Sequence, residues 1–347
     1  MRRITFAQFM AEALYDPERG YYVRHGAGRD YRSAPQTSPA FGHLIGRALG
    51  LMWDALGRPA RFDVLELGAG DGRLAEQATG WLGARAPACA AALRYLAVDR
   101  GDARPLDGAA RVVADVAALP VEAVEGCILS NELFDALPVH RLTWDGRAWR
   151  ELWVVEEDAK RRFEVGELSS AALAPPVAAR VGQIVELAPA ADRVMAEIGR
   201  ALRRGFALTI DYGGRGQELR GPHRMAGTLV AYYRHRASDD LLARPGEQDL
   251  TAHADFGQLE RAGEAAGLRT VGRLTQRELL LGLGLRDWLG RLDPARLTPA
   301  DLFNARAAAG ELVDPGRLGK FEVLVQARGM AAVPPELSGA LGQRGTK

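Results

Sequence analysis

Cysteine is scarce in this chain: Cys89 and Cys127 are the two thiols among 347 residues. Both stand in Ala-rich or apolar surroundings, so they read as buried thiols rather than a disulfide framework or a metal site. An excess of one charge is missing too. Forty-five Lys and Arg face 44 Asp and Glu, a formal net charge of +1, without the basic surplus of nucleic-acid surfaces. No apolar run approaches the ~18 residues that a bilayer span requires. The opening residues MRRITFAQFMAEAL hold two arginines but no unbroken apolar core and no small-residue cleavage site. They read as an amphipathic helix, not a signal peptide, and the expected location is cytoplasmic. No internal repeat is seen, and no metal site is expected.

What is present is an α/β pattern with one dense motif. Residues 62–74 read FDVLELGAGDGRL. An apolar strand ends at Glu66, a loop with Gly68, Gly70 and Gly72 follows, and helix formers begin. Such a strand, loop and helix N-terminus is a nucleotide-type binding place in an open sheet. A dinucleotide fingerprint, G-x-G-x-x-G, would place its third glycine at 73, where Arg73 stands. The spacing E-x-G-x-G-x-G resembles motif I of the Rossmann-like S-adenosylmethionine (SAM) methyltransferases. Glycine lets the backbone pass close to the cofactor without a Cβ clash. Glu66 is expected to hold the ammonium end of the methionine moiety.

Further strands read near 94–98, 111–114 and 126–130, alternating with helix-compatible segments, which predicts a parallel sheet with helices on both faces. Apolar spacing predicts helices over 4–14, 38–57 (capped by Ser38), 189–203, 254–266, 275–290 and 299–312. Asp145-Gly146 between alternating runs signals a hairpin. FALTIDYGG from 206, RTVGRL from 269 and 321–329 read as strands, and residues 330–347 as a disordered tail.

Several blocks then fit one family: GYYV at 20–23, YRSAPQTSPAFG at 31–42, SNELFDALPVHRL at 130–142, IVELAP at 184–189 and ALTIDYGG at 207–214. The longest, GTLVAYYRHRASDDLLARPGEQDLTAHADFGQLERAGEAAGL, spans 227–268. Together they resemble the MidA family of SAM-dependent methyltransferases, over roughly residues 4–329. The resemblance implies a class I methyltransferase domain over 59–329 with insertions at about 137–190 and 214–252, behind an N-terminal helical cap, 1–58. It also implies a protein arginine as methyl acceptor, on a hydrophilic core subunit of respiratory complex I. One departure is Arg203-Arg204-Gly205, where the family often has paired glycines.

In this fold the acid after the second strand, Asp99, receives the ribose hydroxyls, since one carboxylate accepts both bonds. Asp115 would accept from the adenine amino group, with the Val116 backbone beside the ring. Gly68, Ala69 and Gly70 would line the cofactor, and Asn131 would orient the loop or touch it. Arginine stays protonated up to a pKa above ~12, so its methylation requires carboxylates that grip the cation and accept a proton. Glu132 and Asp135, three apart, would serve if a helical turn projected them to one side. His140, His235 and His253 are weaker candidates. Trp144, Trp149 and Trp153 belong to the hairpin, packed or facing a partner. Two other readings stay open: a small-molecule methyltransferase, and a non-catalytic scaffold that keeps the fold. A nicotinamide dehydrogenase fits the glycine spacing least.

Overall fold

The computed structural model describes residues 1–26, 28–99, 106–113, 121–158, 160–175, 179–330 and 339. They fall into two compact units: 32–133, 194–212 and 260–347 in one, and 1–31, 134–193 and 213–259 in the other. The stretch 1–58, expected as one cap, therefore divides at residue 31. Apart from 330 and 339, the expected tail lies outside the described residues.

The first unit is built on seven strands: β1 (Phe62–Leu67), β2 (Leu93–Asp99), β3 (Ala110–Val113), β4 (Val124–Asn131), β5 (Leu202–Asp211), β6 (Arg269–Thr275) and β7 (Glu322–Arg328). Their order is β6-β7-β5-β4-β1-β2-β3. Every pair is parallel except those of β7, which runs antiparallel to β5 and β6. The strand order reverses between β1 and β4, the place where open α/β sheets bind ligands. All six residues of β1 are buried, which explains its near-continuous apolar run.

Helix α1 (Pro39–Ala55) starts where the Ser38 hydroxyl accepts the Ala40 amide and Pro39 takes the first turn. Its buried Phe41, Leu44, Ile45, Ala48, Leu49 and Met52 recur at helical spacing. They share one core with Leu74, Ala78 and Leu82 of α2 (Arg73–Arg85), and with Val64, Phe206 and Val323 of the sheet. Each large apolar side chain so buried contributes about 1.5–3 kcal/mol. The helix expected over 275–290 is two, Gln276–Gly282 and Leu285–Gly290, parted by a left-handed Gly284. The helix expected to reach 203 ends at Ala201, and β5 begins at once.

The second unit holds a five-stranded antiparallel sheet from Arg2–Thr5, His140–Trp144, Trp149–Glu157, Lys160–Gly166 and Ile184–Leu187. The Asp145-Gly146 hairpin is formed as expected. The first helix is Phe6–Tyr15, not 4–14, because Arg2–Thr5 pairs with Trp153–Glu156 and sets Ile4 into the sheet. A reciprocal Thr5–Gln8 capping box then starts the helix. Three short strands, Val230–Tyr233, Arg236–Ser238 and Asp249–Thr251, form a separate sheet. Trp149 is buried edge-on to Trp144, and Trp153 lies under Arg3, with its indole N–H on the Glu167 carbonyl. All three indoles are engaged within the unit.

Arg203 and Arg204 both pair with Glu125 of β4, so the family departure is absorbed by one acid. Beside it, Asp63, Gly126 and Gly205 stand level across β1, β4 and β5. Gly126 has φ 153°, and a Cβ there would come within 2.0 Å of the Asp63 carbonyl oxygen. No flexible side chain can yield to that contact. Gly126→Ala should therefore cost about 3 kcal/mol or more, read as a lower urea midpoint. An unchanged midpoint would show that the strands can part at this level.

Candidate functional site

Polar side chains stand at the carboxyl ends of four adjacent strands: Glu66 on β1, Asp99 on β2, Asn131 on β4 and Asp211 on β5. The sheet core below them is apolar, so each breaks the pattern where the strand ends. Glu66 is 3% exposed and accepts the Tyr95 hydroxyl at 2.7 Å. That bond fixes the carboxylate's orientation, and burial against it holds the phenol protonated well above its ordinary range.

The glycine loop leaves β1 with Gly68, Gly70 and Gly72 all at positive φ, 71°, 52° and 81°. The Gly68 and Ala69 amides donate to the Val98 carbonyl at 2.9 and 3.3 Å. The Gly70 amide donates to Asp99 Oδ2 at 2.9 Å. Asp99 thus ties the loop to the second strand through one oxygen. Asp115 and Val116, expected at the adenine, lie outside the described residues.

Glu132 follows β4 with φ 54°, a backbone region that side-chain-bearing residues rarely adopt. Its amide donates to the Ile210 carbonyl at 3.0 Å. Its Oε1 accepts Asn131 Nδ2 at 2.9 Å and the Ala34 amide at 3.3 Å. Burial raises its carboxyl above the ordinary glutamate value of 4.5, against the lowering effect of those two bonds. Asn131 Oδ1, by contrast, is buried without a hydrogen-bond partner.

The helical turn expected to carry Glu132 and Asp135 together is not formed. Glu132 sits in a bend, and a turn closes by a bond from the Leu137 amide to the Phe134 carbonyl at 3.3 Å. The two acids fall in different units. The Asp135 carbonyl accepts the Ala252 amide at 2.9 Å. The candidate histidines belong to the second unit. His140 Nδ1 lies 2.7 Å from the buried Glu151, His235 Nδ1 donates to the Asp30 carbonyl at 3.1 Å, and His253 lines a small polar cavity with Glu186, Arg220 and Asp255. Tyr21 and Tyr22 are tied inward by Asp30 and Asp249, at 2.8 and 2.9 Å.

Three positioning groups escape the sequence reading. Asp211 is fully buried and accepts the Leu133 and Tyr212 amides at 3.1 and 2.7 Å, which pins the bend that holds Glu132. Its signal was present: an acid ending an apolar strand, as at Glu66 and Asp99. Tyr95 gives no signal of its own. The segment Ala34–Thr37 sends the Ala34 amide to Glu132 and Gln36 Nε2 to Asp71 of the glycine loop, the latter at 3.2 Å.

These groups fit SAM by their chemistry. A buried carbonyl oxygen on Asn131 lacks a donor, as an ammonium would supply. Asp99 places a carboxylate at the end of β2, the chemistry that accepts ribose hydroxyls. A glycine at 70 keeps the loop free of a Cβ. SAM and its demethylated product should raise the melting temperature by mass action, and NADH should not. In Gly70→Val the shift should vanish while the fold survives, since a β-branched residue disfavours φ 52° and fills the ligand's space. A normal shift in that variant would place the cofactor elsewhere.

The raised Glu132 carboxyl has a signed consequence. A folded-state value above the unfolded one means the native protein binds more protons between the two, so this group lowers stability as pH rises through that window. Glu132→Gln should melt a few degrees above the parent at neutral pH, with the gap closing below 4.5. A gap that is constant across pH, or reversed, would show that Glu132 is ionised without cost.

With this geometry in hand, comparisons with known proteins are specific. The family model described as "Putative S-adenosyl-L-methionine-dependent methyltransferase" matches residues 44–274. The mouse mitochondrial protein arginine methyltransferase NDUFAF7 is 30% identical, over 81% of this chain and 71% of its own length. Its Drosophila melanogaster homolog is 26% identical over 95% and 82%. A crystal structure from Burkholderia thailandensis, bound to S-adenosyl-homocysteine, is 30% identical with a TM-score of 0.85, covering 96% of this chain and 90% of its own. The sheet is thus the Rossmann-like sheet of class I SAM methyltransferases, as its alternation and strand order imply. The chain belongs to the MidA family of SAM-dependent methyltransferases, with SAM as its cofactor.

Proposed function

We propose that this protein is a protein-arginine N-methyltransferase. The observation that carries the reading is Glu132, a buried carboxyl in a left-handed backbone, held by Asn131 and Ala34 at the carboxyl end of β4. A strained residue fixed by several bonds at such a place marks a functional position. The arginine methyltransferases among its relatives support the same acceptor.

SAM supplies a methyl group on a sulfonium. The acceptor guanidinium is a poor nucleophile because it stays protonated. In this reading the Glu132 carboxylate takes charge-assisted hydrogen bonds from the guanidinium and fixes the nitrogen that accepts the methyl. A carboxyl raised by burial also takes up the released proton more readily than an exposed one. Asp135 provides the second acid, and Glu66, Asp99, Asn131 and the 68–70 backbone hold the cofactor. Fixed placement supplies much of the acceleration. The target follows the family resemblance: an arginine on a hydrophilic core subunit of respiratory complex I.

The purified protein, added with labelled SAM to an extract of a strain lacking the gene, should mark protein, and the complex I subunit in particular. Glu132→Gln and Asp135→Asn should keep the SAM-induced melting shift yet lose transfer by about a hundredfold or more. A parallel loss of SAM affinity would move both acids into the cofactor shell. Full activity would remove them from the mechanism. Label confined to small molecules would sink the protein acceptor.

A further inference from the structure

The second unit carries a group of cations that the proposed chemistry does not use. Arg234 and His235 form the two-residue turn between the Val230–Tyr233 and Arg236–Ser238 strands, where Tyr233 pairs with Arg236. Both turn residues have positive φ, 51° and 62°. Hairpins of this kind favour Asn-Gly, because side-chain-bearing residues resist that backbone. Here Arg and His stand instead, and the structure holds them. The buried Asp30 accepts the Arg234 amide at 2.6 Å and the Tyr21 hydroxyl at 2.8 Å, while its carbonyl accepts His235.

The turn displays charge. The Arg234 guanidinium lies 5.1 Å from the Tyr233 ring centre and that of Arg244 lies 4.7 Å from it. Arg29 precedes Asp30 in the chain. Arg29, Arg234, Arg236 and Arg244 are all exposed, and among the described residues none of them is in an ion pair. Many other arginines of this unit, Arg2, Arg3, Arg141, Arg150, Arg161 and Arg220 among them, are paired with acids. Arg147, Arg180 and Arg193 are exposed without an ion pair among the described residues, but they are not joined to this turn. Arg234 on this strained, well-anchored turn, Arg236 beside it and Arg244 on the same Tyr233 ring form a set of exposed cations that calls for a partner.

We propose that this hairpin tip is a docking site for an acidic protein segment. It rests on the protein-methylation reading only in naming the methyl acceptor as the owner of that segment. A guanidinium stacked on a ring keeps its N–H fork free at the edge, the geometry that carboxylates match. A nucleic acid fits less well, because a phosphate backbone asks for an extended basic stripe, and the chain as a whole carries only +1.

Fluorescence anisotropy with a short fluorescein-labelled Glu/Asp peptide tests this. The parent protein should bind it, more weakly as salt rises. The Arg234→Glu, Arg244→Glu double variant should lose about tenfold in affinity while keeping its SAM-induced melting shift. A second variant, Arg234→Asn with His235→Gly, relaxes the turn. It should melt higher than the parent and still bind the peptide less well, which separates docking from misfolding. On a methylated protein, both variants should raise KM and leave kcat alone. Unchanged peptide affinity in both variants would overturn the proposal, as would tighter binding of a single-stranded oligonucleotide of equal charge. Peptide binding lost in the variants supports the docking site even where the parent transfers no label to protein, an outcome that instead sinks the methylation reading.

Discussion

A carboxylate and a backbone carbonyl of the neighbouring strand tie down the cofactor loop. Asp99, at the end of β2, takes the Gly70 amide, and so the loop that leaves β1 cannot shift without breaking a bond to the next strand. The same device recurs along the sheet's edge. Tyr95 reaches from β2 to Glu66 on β1, and Asp211 at the end of β5 grips the amide of Leu133 beyond β4. Each contact joins one strand end to an adjacent one, so the site is stiffened by its neighbours rather than by its own loops. Side chains fixed in this way lose little freedom when a ligand arrives, which is the physical content of a preorganised site.

The legible part of this architecture was the part written in local pattern. Buried strands announce themselves as apolar runs, Ser38-Pro39 announces a helix start, and glycines at 68, 70 and 72 announce a loop that needs positive φ. What the sequence hid was contact between distant segments. Nothing local tells that Arg2–Thr5 will find Trp153–Glu156, so a strand was read as the start of a helix. Nothing local tells that Ala34 will reach Glu132. The expected helical turn at 132–135 failed for a related reason: the Ile210 carbonyl and Asp211 hold the amides of Glu132 and Leu133, and Glu132 takes a φ of 54° that a right-handed turn cannot include. The chain's segmentation was likewise invisible, because the two units trade the chain back and forth several times.

The two units show different uses of charge. In the sheet unit, acids gather at strand ends and are fixed by amides and hydroxyls, an arrangement suited to a cationic ligand. In the other unit, many cations are neutralised in place by acids, and a group of exposed arginines lies around one hairpin. That contrast separates charge that holds the fold from charge that faces outward, which a net value of +1 conceals.

The antiparallel β7 has a consequence for how the molecule is made. It lies between β5 and β6, yet among the described residues it is the last strand in sequence. Until it arrives, the Gly205–Asp211 edge of β5 has no partner on that side, and neither has β6. A nascent chain therefore carries an open β5 edge from residue 211 until β7 emerges at 322, joined by β6 from 275, each able to pair with the wrong chain. Closure of the sheet waits on the pairing of β5 with β7, the most distant in sequence that it contains, so its assembly is slow and depends on the arrival of Glu322–Arg328.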